Sequence, residues 1–477
     1  MYDVRGRMLS FQLSTPARAI GWAIFIAIGG YVVGRAVLTM DVYYLALAAI
    51  CIASMLLFLR RIDLAIFVYA LLAPFAMGGS PEMQSSRSSY DVSIMPSQAG
   101  LVVIVVLILA RWLFWGREIR IPSLTKPLLV FLGIAILSVI STYIIWDSDI
   151  PLVERRLPNQ AAEVLLYALC AIAFVASANA FDKREWVEKM IWPVTLSALY
   201  VVGTEVLFPD RIVNISRAHF LVSISLTLIL ARLLFTKFRF SAVIGWMILF
   251  VPLLWAAYHN LDWVSGWLTA SLGMGFVLLA RSRQVAIALV VIVLFVMFGY
   301  PGIYYNIYHE SRAQGDLDRF AMWSDAMQMA SKVNPILGIG PSSYMPYARK
   351  YSSLWYGENT YTTAHSNYAD LLAETGIAGF LALIWIVIAG MRTGIDAIKR
   401  SSLELRWLSI AATSIFVSFA IASLVGDYLL PSRVNGGLTS FGTSVQIWVI
   451  MGAAIAGARL WGTKDKEQEE GWTLASP

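Results

Sequence analysis

Apolar residues in this chain come in unbroken runs of roughly 20, separated by short charged breaks, with neither the two-residue alternation of strands nor the one-sided stripe of surface helices. The runs begin near Arg18, Val42, Asp63, Gln98, Pro127, Ala161, Val187, Ala218, Phe240, Trp263, Val285, Ser366, Trp407 and Ser440. As a helix, each is long enough to cross the ~30 Å hydrocarbon core of a bilayer. The pattern predicts an all-α polytopic membrane protein of about 14 transmembrane helices, or about 12 if short pairs re-enter the face they left. Four segments stand out on one face: 79–97, 147–160, 209–217 and 303–365. The chain divides accordingly into spans one to eleven (1–302), a large external loop (303–365), spans twelve to fourteen (366–461) and a charged, polar tail (462–477) expected to be disordered.

Composition narrows the class. With 58% hydrophobic residues, 14% charged residues and a mean hydropathy of +0.69, a soluble domain would expose large apolar patches that lipid can solvate. The net charge of +6 could point to nucleic acid. The placement of the basic residues points instead to membrane orientation. Arg60–Arg61, Arg117 with Arg120 and Lys126, Lys183–Arg184, Arg232 with Lys237 and Arg239, Arg281 with Arg283, Arg392 to Arg406, and Lys464 with Lys466 all sit in breaks of one parity. The positive-inside rule then makes both termini cytoplasmic and the long loop external. Arg5, Arg7 and Arg18 precede a full-length run, so the first span reads as an uncleaved anchor. Cys51 and Cys170 fall inside runs and form no disulfide framework.

Candidate chemistry collects in the long loop and at its membrane edge. Asp318 is an N-cap for a helix to about Lys332, with Arg319, Trp323, Ala326 and Ala330 on one stripe and Phe320 and Met327 beside it. Asn334-Pro335 stops the helix, and Gly338-Ile339-Gly340-Pro341 forces a turn whose amides could cradle an anion, or could simply lie on the membrane surface. His365 stands where the chain enters the bilayer, placed either to accept a proton or to cap the next helix. Asp370 and Glu374 suit the positive end of that helix, and Gly376 and Gly379 suit close helix packing. All four histidines, His219, His259, His309 and His365, map to the outer face or its edge, where a group costly in lipid collects.

The segment from His365 resembles the signature of the bacterial O-antigen ligase/polymerase superfamily. That signature is His, then Asn, Ser or Gln, nine residues, Gly, two residues, then Gly, Thr or Tyr; here it is filled by His365, Ser366, Gly376 and Gly379. Upstream, Arg319 to Trp323 and Asn334-Pro-Ile-Leu-Gly-Ile-Gly340 are similar to the family's Arg-x-x-x-Trp and Asn-Pro-x-x-Gly-x-Gly, so agreement covers residues 319–379.

The resemblance implies a C-type glycosyltransferase architecture in the bacterial inner membrane. Its substrate would be an undecaprenyl-diphosphate-linked oligosaccharide, its acceptor a sugar or the lipid A core, and its protein partner a chain-length regulator. It implies metal-independent, inverting transfer without a cofactor, with His365 as general base and Arg319 holding the diphosphate. Trp323, Gly338, Gly340 and Ser366 join the substrate site, with Arg211 and Arg217 as further diphosphate contacts. The chain departs from the family pattern in two places. Val264-Ser265-Gly266-Trp267 lacks the arginine many relatives carry, a role left to Arg155 or Arg156, and the Pro-Asn expected after Arg211 is absent, with His219 roughly in its place. Asp147 with Asp149, and Asp316 with Asp318, have two-acid metal spacing but no third ligand. Within the family, a polymerase of O-antigen or exopolysaccharide units is preferred to a ligase. A solute (inorganic carbon) transporter or lipid flippase is the rival of another class, disfavoured because Glu163, Arg232, Asp370, Glu374 and Asp427 fall towards span ends.

Overall fold

A computed structural model describes residues 10–11, 57–75, 96–145, 150, 156–207, 218–259, 264–285, 287–288, 291, 316–351, 363–433 and 441–473. The apolar runs form helices close to where they begin in the sequence: α1 (Ile62–Leu72), α2 (Pro96–Trp115), α3 (Thr125–Ile144) and α4 (Arg156–Ala180). These are followed by α5 (Arg184–Lys189), α6 (Ile191–Leu207), α7 (Ala218–Phe235), α8 (Phe240–His259) and α9 (Val264–Arg281). The long loop contributes α10 (Asp316–Val333) and α11 (Tyr344–Tyr351), and the chain ends with α12 (Asn367–Arg400), α13 (Arg406–Ala422) and α14 (Phe441–Thr473). A short ribbon pairs β1 (Ser10–Phe11) antiparallel with β2 (Ile119–Arg120). The runs expected near Arg18 and Val42 lie outside the described residues, as does most of the one near Val285.

Six helices among the described residues, α2, α3, α4, α8, α12 and α14, are long and apolar enough to cross a membrane. Their burial separates two kinds. On α14 residues 441–458 are wholly buried, whereas only 17% of the most apolar stretch of α8 is. Residues such as Ile248 and Val251 on α8, and Leu137 and Ile140 on α3, stand exposed. Apolar exposure on this scale is stable only against lipid, so the chain is a multi-pass membrane protein.

Without a hydrophobic drive between helices in lipid, packing relies on small residues and polar contacts. The α4–α14 pair shows both. Gly452 lets α14 approach the α4 backbone so closely that a Cβ there would lie 2.6 Å from Phe174 O. Ser177 Oγ donates to Val449 O at 2.6 Å, and Trp448 packs edge-on against Phe174 and Phe416.

Four expectations change. The tail expected to be disordered continues α14 to Thr473, since Lys, Glu and Gln are good helix formers and extending a helix needs no new nucleus. The run near Val187 is split into α5 and α6, with Pro193 tolerated in the first turn of α6. The loop helix starts at Asp316, two residues before Asp318. Gly376 is not part of a helical packing face: with φ 66° and ψ −168° it breaks α12.

Candidate functional site

The break in α12 is where the loop docks. Asn334 Oδ1 accepts the amides of Ile336 and Leu337 (3.3 and 3.1 Å), which turns the chain after α10. The turn then lies along residues 373–378. Ile339 N–H donates to Ala373 O (2.9 Å) and Gly340 N–H to Glu374 O (2.8 Å). In return, Ile377 N–H donates to Pro335 O (3.0 Å) and Ala378 N–H to Ile336 O (3.2 Å). Two backbones this close leave no room for side chains. A Cβ at Gly376 would overlap Ile336 O, and one at Gly338 would lie 2.6 Å from Glu374 O. From α3, Ser138 Oγ reaches both Leu337 O (2.6 Å) and Glu374 O (2.7 Å) and closes the clasp from behind.

Gly338 N–H is also spent, on Asn334 O at 2.8 Å. The amides of Gly338, Ile339 and Gly340 are therefore committed inside the protein. The turn serves as a backbone clasp and not as the anion cradle expected from Gly338 and Gly340.

At the other end of the first α12 segment, His365 sits half-buried with φ 50°, a left-handed conformation costing a β-carbon residue about 1–2 kcal/mol. Its surroundings hold that conformation. Asp370 accepts the amides on both sides, Ala364 N–H at Oδ1 (2.7 Å) and Ser366 N–H at Oδ2 (3.3 Å). His365 N–H donates to Thr363 Oγ1 (3.0 Å), and Trp323 Nε1–H from α10 donates to Ala364 O (3.1 Å). Ser366, only 2% exposed, caps α12 by accepting Ala369 N–H (3.3 Å) and donates to Ser423 O (3.4 Å). Its hydroxyl thereby ties the start of α12 to the end of α13.

The segment 423–433, between α13 and α14, is the second wall. Asn367 Oδ1 accepts the amides of Leu429 and Leu430 at 3.1 Å each, and its Nδ2 donates to Leu430 O at 2.9 Å. Its own amide reaches Ser423 O and Gly426 O. Arg319 Nη1 donates to Val425 O at 2.9 Å, so α10 is moored to the same turn, one helical turn before Trp323. His365 and Arg319 thus hang from one short segment, through Asn367 and Val425, and are bridged again by Trp323.

A third group lies behind the clasp. Glu374 Oε1 accepts Ser343 N–H at 3.2 Å, at the start of α11. Gln160 of α4 donates to Ser343 Oγ at 2.8 Å, and Glu163 accepts Arg433 N–H (2.8 Å) and the Tyr167 hydroxyl (3.1 Å). Arg433 Nη2 donates to Ser342 Oγ at 2.9 Å. Burial, with carboxylates near, pushes the Tyr344 phenol up, so it remains a donor, to Met322 O at 3.0 Å. The buried side of α10 is Met322, Asp325, Ala326, Met329 and Ala330, while Phe320 and Met327 face outward.

Of the residues expected at the site, His365, Arg319, Trp323 and Ser366 are brought together, and Gly338 and Gly340 form the adjoining clasp. Arg155, Arg211 and Arg217 lie outside the described residues, as do Asp147 and Asp149, and of Arg156, Asp316 and Asp318 only the helical backbone is described. Among the described residues, no three His, Cys, Asp or Glu side chains group to hold a metal. Sequence reading passed over Thr363, Ser138, Gln160 and Arg433. The one available signal was Ser432-Arg433, a polar break between the last two apolar runs.

Residues 264–384 match the family described as O-Antigen ligase. No curated protein matches the chain. The matched segment holds α9 to the first half of α12, while Ser138, Gln160, Glu163 and the 423–433 turn come from outside it.

Proposed function

We propose, from the match of residues 264–384 to the O-antigen ligase family, that the chain moves a glycan from an undecaprenyl diphosphate carrier to a sugar hydroxyl at the outer face of the bacterial inner membrane. Both termini are then cytoplasmic and the α10–α11 loop external. His365 removes the proton of the acceptor hydroxyl as its oxygen attacks the anomeric carbon. The anomeric carbon–oxygen bond to the diphosphate breaks on the opposite side, which inverts the centre, and the lipid diphosphate leaves with the electron pair. The charge growing on that leaving group suits a guanidinium, whose fork matches phosphate oxygens. Arg319, held in place by Val425 O, fills this role. No metal or cofactor takes part.

One observation carries the reading: His365 and Arg319 are moored to the same 423–430 turn, His365 in a strained conformation held by Asp370, Thr363 and Trp323. Strain of this sort persists only where the surroundings over-determine it, and such positions cluster at functional sites. A second lipid-linked repeat unit as acceptor makes the protein a polymerase, our first reading. Lipid A core or protein as acceptor makes it a ligase, the reading favoured by the description of the matched family.

The test is His365→Ala and Arg319→Ala in hosts lacking either a polymerase or a ligase, scored by glycan chain length and by transfer to core. At normal expression, loss of the general base should cut transfer by about 10²–10⁴-fold. Restoration of the ladder by the parent chain identifies a polymerase, and restoration of core attachment identifies a ligase. Full activity of both variants, or unchanged glycan with altered solute uptake, rejects the transferase.

A further inference from the structure

At the far end of α4 from Glu163 lies a cavity of about 470 Å³ that the proposed transfer does not use. Asn179 lines it, sixteen residues from Glu163, or ~24 Å along the helix at 1.5 Å per residue. Four arginines, Arg111, Arg117, Arg120 and Arg459, face two carboxylates, Glu118 and Asp182, leaving two positive charges in excess.

The walls are fixed. Arg459 of α14 donates to Ala178 O (3.1 Å) and Phe181 O (2.8 Å), satisfying carbonyls at the end of α4. Asn179 clamps β2 by accepting Arg120 N–H and donating to Arg120 O, each at 2.8 Å. Arg111, its side chain 11% exposed, pairs with Asp182. Arg117 stands exposed just after Gly116, where the chain leaves α2 through a left-handed turn.

The depth of the cavity is given by its neighbours. The outer side of α2 is apolar, with Val102, Val106 and Leu109 exposed, and ends at Trp115, 52% exposed. An exposed tryptophan closing an apolar face marks the boundary between hydrocarbon and headgroups. Ile62, Ile108 and Leu460 line the cavity together with the charged groups, which gives it an apolar side as well as a basic one. At that depth the abundant anion is phosphate, and arginine forks are the side chains best shaped to take it.

We propose that this cavity is a phosphate-binding site at the membrane boundary, with Arg117 and Arg120 as the contacts and Arg111 and Arg459 supplying field and shape. The phosphate comes either from a lipid headgroup or from free phosphate. The site is independent of the His365 chemistry.

The test uses the full-length protein in detergent, with binding read by native mass spectrometry and thermal stabilisation. The probes are dioleoyl phosphatidic acid, dioleoylglycerol (the same lipid without its phosphate) and inorganic phosphate. Phosphatidic acid should bind, dioleoylglycerol should not, and an Arg117→Gln/Arg120→Gln double variant should weaken binding by about tenfold for each arginine lost, as expected for a charge-assisted hydrogen bond. Lys399→Gln, an exposed charge removed elsewhere, should leave binding unchanged. Inorganic phosphate binding with the same variant sensitivity assigns the site to free phosphate, and phosphatidic acid binding alone assigns it to a headgroup. If the double variant does not accumulate, Arg117→Gln alone gives the readout. Equal binding of the two lipids, or binding unmoved by the arginine changes, overturns the proposal.

Discussion

Replacing Gly376 by alanine should disable the clasp. At φ 66° and ψ −168° the backbone occupies a region open essentially to glycine alone, so a β-carbon costs about 1–3 kcal/mol in torsion. That carbon would also overlap Ile336 O and lie 2.7 Å from Leu337 N, atoms of a backbone pinned by four interchain-like amide bonds and by Ser138. Relief requires the 335–337 turn to retreat, breaking at least the bonds from Ile377 to Pro335 O and from Ala378 to Ile336 O, at about 1 kcal/mol each. The sum is roughly 3–5 kcal/mol, large against the stability of most domains. Gly275→Ala is the control: a Cβ there meets nothing within 4 Å, and a helix-interior exchange of this kind is neutral or stabilising by up to about 1 kcal/mol. The assay is thermal unfolding of the purified protein in detergent, alongside limited proteolysis of the 334–341 turn. Gly376→Ala should melt well below Gly275→Ala and be cut in the turn. If the two variants melt together and resist protease alike, the clasp does not hold the loop.

Two further substitutions probe how His365 is held. In Asp370→Asn, one oxygen becomes an NH₂ facing a backbone N–H, so either Ala364 or Ser366 loses its acceptor, at about 1–3 kcal/mol; glycan transfer should fall at least tenfold while the protein still accumulates, and unchanged transfer would free Asp370 from any positioning role. Asn367→Ala orphans the buried amide of Leu430 and leaves Leu429 N–H to Ser423 Oγ alone, loosening the turn that moors Arg319, so both melting temperature and transfer should drop, and a loss of neither contradicts the mooring.

The helices were legible because lipid imposes one rule on every residue: a run of about 20 apolar side chains has few alternatives to a spanning helix. Helices change where the charges require: Arg184 opens α5 after the break at Lys183, and Arg406 opens α13 after the break that begins at Ser401. The partners of the site were not legible, because each lies far along the chain. Asn367 bonds Leu430, Gln160 bonds Ser343 and Ser138 bonds Glu374 O, across 63, 183 and 236 positions. Nothing local marks Ser138 as different from the other serines of apolar helices; its meaning appears only when α3 lies beside the clasp. The Gly-x-Gly turn misled for a related reason. Free amides and amides committed to a distant carbonyl have the same local sequence.

The spacing of the His365 motif has a physical account in this fold. The nine residues between Ser366 and Gly376 form about two and a half helical turns, ~13.5 Å long. Ser366 must cap one end, because the chain there reverses out of His365, and Gly376 must break the other, because the 335–337 backbone lies against it. Asp370 reaches back across the first turn to the amides around His365, and Glu374, one turn further, reaches Ser343. One more residue in this stretch would rotate Asp370 and Glu374 by about 100° relative to one of the two ends. Gly379 follows in the same logic: a Cβ there would overlap the Thr375 side chain, which needs that space to donate back to Leu371 O at 2.7 Å. The interval between histidine and glycine is therefore the distance between cap and clasp, and it ties the conformation of His365 to the docking of the loop that carries Arg319.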